Sequence, residues 1–214
     1  GGSDQEDLEK IKSLNNNHRF EVNYIKIDPI NAKNNSQTID KNNQKIESNM
    51  AMTMSSIRES FIFGKDCEDL IYFVEDDYLH FEEMLFEMIS SYERIASQIR
   101  KDIFMCPSDY PYLYMNNEKT NVLIGNERHW RTVNRTLCTF MTTKNLLEKY
   151  WDKFYKNCLD RHDPFEKYLN EIYLKEICIS PIKSLSLHLT NINSSYGLSP
   201  LIDYKKLWEE NKTK

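Results

Sequence analysis

Three consecutive carboxylates, Glu75, Asp76 and Asp77, follow directly after the apolar run 70–74. Hard divalent cations take oxygen ligands, and a bound cation can neutralise the charge of a diphosphate. Adjacent acids at the end of a buried strand would therefore suit a site that holds a metal ion against a diphosphate. The same acids could instead form a solvated turn, and the triplet alone leaves both interpretations open.

The apolar run 70–74 is the element that would position these acids. A strand that is buried on both faces reads as a continuous apolar run, and such strands lie at the centre of parallel sheets. Open α/β sheets bind their ligands at the carboxyl ends of these strands. We therefore expect a central parallel strand at 70–74, with Asp76 and Asp77 in a cleft at its carboxyl end.

The spacing of apolar residues predicts helices and strands that alternate along the chain. The expected helices cover residues 4–14, 50–63, 81–99, 144–155 and 163–173, with a last helix near Trp208. The expected strands cover residues 20–28, 70–74, 102–107, 121–124, 136–142 and 182–189. This alternation favours an α/β layer sandwich. The polar segment 31–49 is expected to be a flexible surface loop.

The length and charge of the chain restrict the classes of protein to which it can belong. Its 214 residues fit a single domain, residues 1–214, of which Gly1-Gly2-Ser3 looks like the remnant of an expression tag. The net charge is −5 and no block of Lys and Arg is present, which argues against a partner that is duplex nucleic acid. No apolar stretch approaches the roughly 20 residues that span a bilayer.

Five cysteines are widely spaced, and no Cys-x-x-Cys pair occurs. An odd count without such pairs indicates reduced thiols in the core more often than a disulfide framework or a zinc site. We therefore expect a cytoplasmic protein. The oligomeric state is left open.

The acid motif and the order of elements from Leu8 to His188 resemble the GT-A fold glycosyltransferases, especially the inverting class related to family two. The resemblance implies a three-layer α/β/α sandwich with a mostly parallel central sheet, and an acid motif that binds Mn²⁺ or Mg²⁺. It implies that Asp77 is the direct metal ligand. It also implies that Glu75, Asp76 and, at the end of the first predicted strand, Asp28 contact the nucleotide-sugar. The opening strand that cradles the nucleotide base in that family is not found here.

The resemblance also places a catalytic base near the start of the helix at 163–173. Direct displacement at an anomeric carbon requires a carboxylate that takes the proton of the acceptor hydroxyl. Asp163 is the first candidate for this base and Glu166 is the second. An Asp before Pro164 is also a common helix cap, and this alternative stays open.

His188 is a candidate for a second metal ligand, because some GT-A enzymes supply a late histidine to the same metal. A single histidine in an alternating strand pattern is more often structural, so both roles remain open.

The segment 126–131 concentrates cationic and aromatic side chains in an expected loop. Sugar sites use aromatic faces against the apolar side of a pyranose, and arginines can bind hydroxyls or a leaving phosphate. Arg128 and Arg131 are therefore candidates for binding the donor phosphate, and Trp130 for binding the acceptor. Equally, Trp130 could anchor the core and the arginines could be surface charges.

The loop 108–114 offers further candidates for acceptor binding. Asp109 could act as a second base, and Tyr110 could line an acceptor groove or cover the core.

The sequence therefore predicts a metal-dependent glycosyltransferase that moves a sugar from a nucleotide-sugar to a glycan or other hydroxyl acceptor, with inversion. One alternative is a non-catalytic glycan- or nucleotide-binding domain with a structural cation. Another is a nucleotidyltransferase, although the chain has no glycine-rich phosphate loop.

Overall fold

The computed structural model describes residues 51–115, 117–159, 164–189 and 203–211, and the short segments 9, 23, 25–27, 37–39 and 45–47. The chain divides into two compact units, namely Gly1–Ser60 with Cys158–Arg161 and Phe61–Asn157 with His162–Lys214. The expectation of one glycosyltransferase-like domain stays a prediction.

In the first unit, two short strands pair within the segment that was expected to be a loop. Strands β1 (Gln37–Ile39) and β2 (Lys45–Glu47) are antiparallel. Helix α1 (Ala51–Gly64) follows them and agrees with the helix predicted at 50–63. It buries Met54 and Phe61, which are two helical turns apart, as an amphipathic pattern requires.

The second unit contains a six-stranded mixed sheet and a two-stranded sheet. The strands in chain order are β3 (Leu70–Phe73), β4 (Tyr78–His80), β5 (Phe104–Met105), β6 (Val122–Ile124), β7 (His129–Val133), β8 (Phe140–Thr143), β9 (Cys178–Pro181) and β10 (Ser186–His188). The larger sheet has the order β3-β8-β5-β9-β7-β6, and β4 pairs with β10. The protein is therefore a mixed α/β structure.

The expectation of a mostly parallel sheet with a central strand at 70–74 is wrong. Only β5 and β9 run parallel, whereas the other neighbouring strands of the larger sheet are antiparallel. Strand β3 lies at one end of the described sheet and pairs only with β8. Its burial alternates, with Ile71 and Phe73 buried and Leu70 and Tyr72 partly buried. The apolar run is continuous because one face of this terminal strand is buried and the other face is partly covered.

The described part of the chain contains further helices. After α1 they are α2 (Met84–Ile99), α3 (Lys144–Lys149), α4 (Trp151–Asn157), α5 (Lys167–Tyr173) and α6 (Tyr204–Asn211). The helix predicted at 144–155 is thus divided between α3 and α4. The N-cap of α3 is Thr143, whose Oγ1 accepts a hydrogen bond from the backbone N–H of Leu146 at 3.2 Å.

Alternation along β5 and β8 sends neighbouring side chains to opposite faces of the sheet. On one face, Phe104 and Phe140 contact Phe154 of α4, with ring centroids 6.3 and 6.1 Å apart. On the other face, Met105 and Met141 belong to a buried cluster that includes residues of α2. All five cysteines are free thiols, and all except Cys67 are buried.

Candidate functional site

Strand β4 begins directly after the acid triplet, and its pairing with β10 brings Asp77 to His188. Tyr78 lies opposite His188 in this antiparallel pair. The backbone N–H of Leu189 donates to the carbonyl oxygen of Asp77 at 2.7 Å. The Oδ2 atom of Asp77 lies 2.9 Å from Nε2 of His188. The structure therefore places in contact the two side chains that the sequence nominates as metal ligands.

The second carboxylate oxygen of Asp77, Oδ1, is buried and has no hydrogen-bond partner among the residues that the structure describes. A buried and unpaired polar atom costs free energy, so a positively charged partner at this position would stabilise the site. Carboxylate oxygen and imidazole nitrogen are both ligand types of divalent cations such as Mn²⁺. The donor set of Asp77 and His188 therefore fits a divalent cation.

Among the described residues, no group of three or more His, Cys, Asp and Glu side chains is arranged to hold a metal ion. Mg²⁺ commonly binds proteins through only one or two carboxylates and completes its shell with water and phosphate oxygens. A two-residue site thus suits a cation that is shared with a phosphate ligand.

Glu75 lies close to Asp77 in a buried setting. Its backbone N–H donates to Oγ1 of Thr139 at 3.0 Å, and that hydroxyl donates to Oε2 of Glu75 at 3.2 Å. Burial is the largest cause that raises the pKa of Glu75 to about 8, and the charges of Asp77, Glu166 and Asp76 contribute to the same shift. At neutral pH Glu75 is therefore mostly protonated and can donate a hydrogen bond. The neighbouring side chain of Asp76 is exposed.

Glu166 joins this acid cluster from the N-terminal end of α5. Its charge contributes to the raised pKa of Glu75, and burial raises the pKa of Glu166 itself to about 7. Glu166 also lines a cavity of about 380 Å³, together with Tyr112, Thr136 and Asn170. A carboxyl group whose pKa is near neutral pH, beside a cavity, is suited to take a proton from a hydroxyl group.

Tyr78 is a part of the site that the sequence reasoning missed. Its ring stacks on His188, with centroids 4.9 Å apart and planes at 19°. Its hydroxyl forms a hydrogen bond with the hydroxyl of Tyr110. The signal in the sequence was the alternation of Tyr78 and His80 after the acids, which is the pattern of a second short strand.

Tyr110 was a candidate for acceptor binding, and its side chain is 1% exposed. Its ring stacks on Tyr112, with centroids 5.4 Å apart, and its hydroxyl contacts Tyr78. This burial favours the alternative in which Tyr110 covers the core and supports Tyr78.

Asp109 and Arg131, both candidate site residues, form a buried ion pair. Oδ1 of Asp109 accepts a hydrogen bond from Nη2 of Arg131 at 2.6 Å, and Oδ2 accepts one from the hydroxyl of Tyr114 at 2.6 Å. Asp109 is 1% exposed, and the guanidinium carbon of Arg131 lies 4.1 Å from the ring centroid of Tyr114. These contacts tie the loop 108–114 to strand β7, which favours a structural role for the pair.

Trp130 lies on β7, not in the loop expected at 126–131, and its side chain is fully buried. Its Nε1–H lies 3.1 Å from Oγ of Ser91 and 3.3 Å from Oε1 of Glu87. A Cβ atom at Gly125 would lie 2.3 Å from Trp130 Nε1, so the chain comes too close here for any other residue. The alternative of a core anchor is therefore favoured for Trp130.

Arg128 holds the turn between β6 and β7. Its Nη2 donates to Oε1 of Glu83 at 2.5 Å, and its Nη1 donates to the carbonyl oxygen of Lys183 at 3.1 Å. Both contacts are within the chain, so they favour the surface-charge alternative for Arg128. The two other candidates, Asp28 and Asp163, lie outside the described residues.

No protein-family model, curated protein or solved structure matches this chain. Within the part of the chain that the structure describes, none of the helices has the length and apolar character needed to cross a membrane.

Proposed function

We propose that this protein is a metal-dependent glycosyltransferase of the GT-A type, which transfers a sugar from a nucleotide-sugar to an acceptor hydroxyl with inversion. The observation that carries this proposal is the contact of Asp77 with His188, in which the buried Oδ1 of Asp77 has no partner among the described residues. The acid triplet and the raised pKa of Glu166 support the same function.

Asp77 and His188 would hold Mn²⁺ or Mg²⁺, which when bound neutralises the charge of the departing diphosphate. The ring of Tyr78 stacks on His188 and keeps the imidazole in place. Because Leu189 donates to the backbone of Asp77, the two ligands are also joined through their strands.

Glu166 takes the proton of the acceptor hydroxyl in this proposal. Its pKa of about 7 means that an appreciable fraction is ionised at neutral pH and ready to accept a proton. Glu75, which is mostly protonated at the same pH, donates a hydrogen bond to the donor sugar or ribose. Asp163 was the first candidate for the base from the sequence and remains an alternative to Glu166.

The test is release of nucleoside diphosphate from a panel of nucleotide-sugars, with Mn²⁺, Mg²⁺ or EDTA. We expect release that depends on the metal and is lost in Asp77→Asn, while the exposed control Asp66→Asn keeps it. For the active donor, proton NMR of the first product would show the opposite anomeric configuration to the donor.

Two results would count against this function. If nucleotide-sugars bind but are not turned over with either Mn²⁺ or Mg²⁺, the protein is a binding domain. If nucleoside monophosphate is transferred instead and pyrophosphate is released, it is a nucleotidyltransferase.

A further inference from the structure

A second cavity, of about 220 Å³, lies along β7 and the C-terminal end of α5. Its lining includes Lys119, Thr120, Arg131, Asn134 and Tyr173. Nothing in the proposed transfer reaction uses this cavity. Two residues of its lining each carry a buried hydrogen-bond donor that has no partner within the described part of the chain.

The first donor is Nε of Arg131. The side chain of Arg131 is nine-tenths buried, and its Nη2 donates a hydrogen bond to Asp109 at 2.6 Å, whereas its Nε is buried and finds no partner in the described ranges of the chain. A guanidinium nitrogen can only donate, so its missing partner must be a hydrogen-bond acceptor.

The second donor is the hydroxyl of Tyr173. This residue is 5% exposed, and its hydroxyl is buried and has no hydrogen-bond partner among the described residues. Burial raises the pKa of Tyr173 well above its ordinary value, so the phenol keeps its proton. The hydroxyl is therefore a second buried donor, an O–H group, and an acceptor would supply its missing hydrogen bond.

The charges around the cavity favour an anion as the shared acceptor. Lys119 adds an exposed ammonium group at the rim. The carboxylate of Glu118, which also lines the cavity, is paired with Arg135 at 2.6 Å. The charge of Arg131 is likewise balanced by Asp109. The remaining charge at the cavity is the positive charge of Lys119, which suits one oxyanion.

We propose that this cavity binds an oxyanion group, a carboxylate or a phosphate, that accepts hydrogen bonds from Arg131 and Tyr173 and is attracted by Lys119. Asn134 lines this cavity and also the larger cavity at Glu166, so the two cavities are neighbours. The oxyanion site stands on its own geometry and does not depend on the proposed transfer reaction.

The test is thermal unfolding of the protein in EDTA with increasing sodium phosphate or sodium acetate, at an ionic strength held constant with sodium chloride. EDTA excludes anion binding through a metal at Asp77. We expect a rise in Tm that saturates with at least one of the two anions. Saturation with phosphate alone identifies a phosphate site, and saturation with acetate alone identifies a carboxylate site.

Two variants connect the effect to this cavity. Tyr173→Phe removes only the hydroxyl, and Lys119→Gln removes an exposed charge and so tests the site even if the first variant unfolds. We expect either variant to weaken anion affinity about tenfold. The matched controls, Tyr155→Phe and Lys205→Gln, change residues that are not in the cavity lining and should keep the affinity. No saturable rise in Tm, or an unchanged affinity in both test variants, would overturn the proposal.

Discussion

The carboxylate of Asp77 and the imidazole of His188 lie 2.9 Å apart, although 111 residues separate them in the sequence. The contact arises because β4 and β10 pair in a sheet of only two strands, directly after the acid triplet. An ion pair alone would not explain the second oxygen of Asp77, which is buried and has no partner in the part of the chain that the structure describes. A divalent cation would satisfy this oxygen, and imidazole nitrogen is a second ligand type for such a cation.

The first prediction is that His188→Ala weakens binding of Mn²⁺ at least tenfold, because it removes a proposed ligand and the ring on which Tyr78 stacks. Wild-type protein should gain about 2.7 kcal/mol in free energy of unfolding when Mn²⁺ is at roughly a hundred times its Kd, and EDTA should reverse the gain. Titration followed by urea unfolding measures both quantities. The control His129→Ala removes an exposed histidine and should bind Mn²⁺ normally. Equal Kd values for the two variants would exclude His188 as a ligand.

The sequence was sufficient to nominate Asp77 and His188 because each has a chemically informative type at the end of a predicted strand. It was not sufficient for Trp130 and Arg131. Aromatic and cationic side chains serve equally well in a sugar site or as core anchors, and only the contacts with Ser91, Glu87 and Asp109 distinguish these roles. Such contacts join distant segments and leave no local pattern.

The sequence also could not predict whether neighbouring strands of the sheet are parallel or antiparallel. An apolar run such as Leu70–Phe73 shows that a strand is buried, but its direction depends on the strand that it meets, which is β8 here. The parallel partner of β5 is β9, and no strand was predicted at 178–181. Helix α1 was predicted closely because its apolar spacing is local information.

A second prediction concerns Glu75 and the dependence of stability on pH. Since the pKa of Glu75 is raised from its ordinary 4.5 to about 8, the native state binds this proton more tightly than the unfolded state. Its contribution to stability is therefore complete below about pH 4.5 and is lost as the pH rises through about 8. We expect Glu75→Gln to be more stable than wild type at pH 8, by at least about 1 kcal/mol, and similar at pH 4.5. Urea unfolding in EDTA at several pH values measures this difference in the free energy of unfolding. The exposed control Glu148→Gln should show the same change of unfolding free energy with pH as wild type.

A third prediction separates Glu166 from Asp163 as the base. If Glu166 takes the proton, kcat should rise with pH through an ionisation near 7, because only the ionised carboxylate accepts a proton. Glu166→Gln should lower kcat about a hundredfold or more, remove this ionisation and leave the Kd for Mn²⁺ unchanged. Asp163→Asn should keep the ionisation. The reverse pattern in the two pH profiles would assign the base to Asp163.

The last prediction distinguishes a structural Asp109 from one that binds the acceptor. Its partner Arg131 has a side chain only 10% exposed, so Asp109→Ala leaves a guanidinium buried without its counter-charge. Removing one partner of a buried ion pair costs about 3–5 kcal/mol, and we expect a loss in that range in urea unfolding. Glu118→Ala breaks the exposed pair with Arg135 and should cost less than about 1 kcal/mol. If Asp109→Ala instead keeps the wild-type stability and raises KM for the acceptor, Asp109 binds the acceptor, and its ion pair with Arg131 does not stabilise the fold.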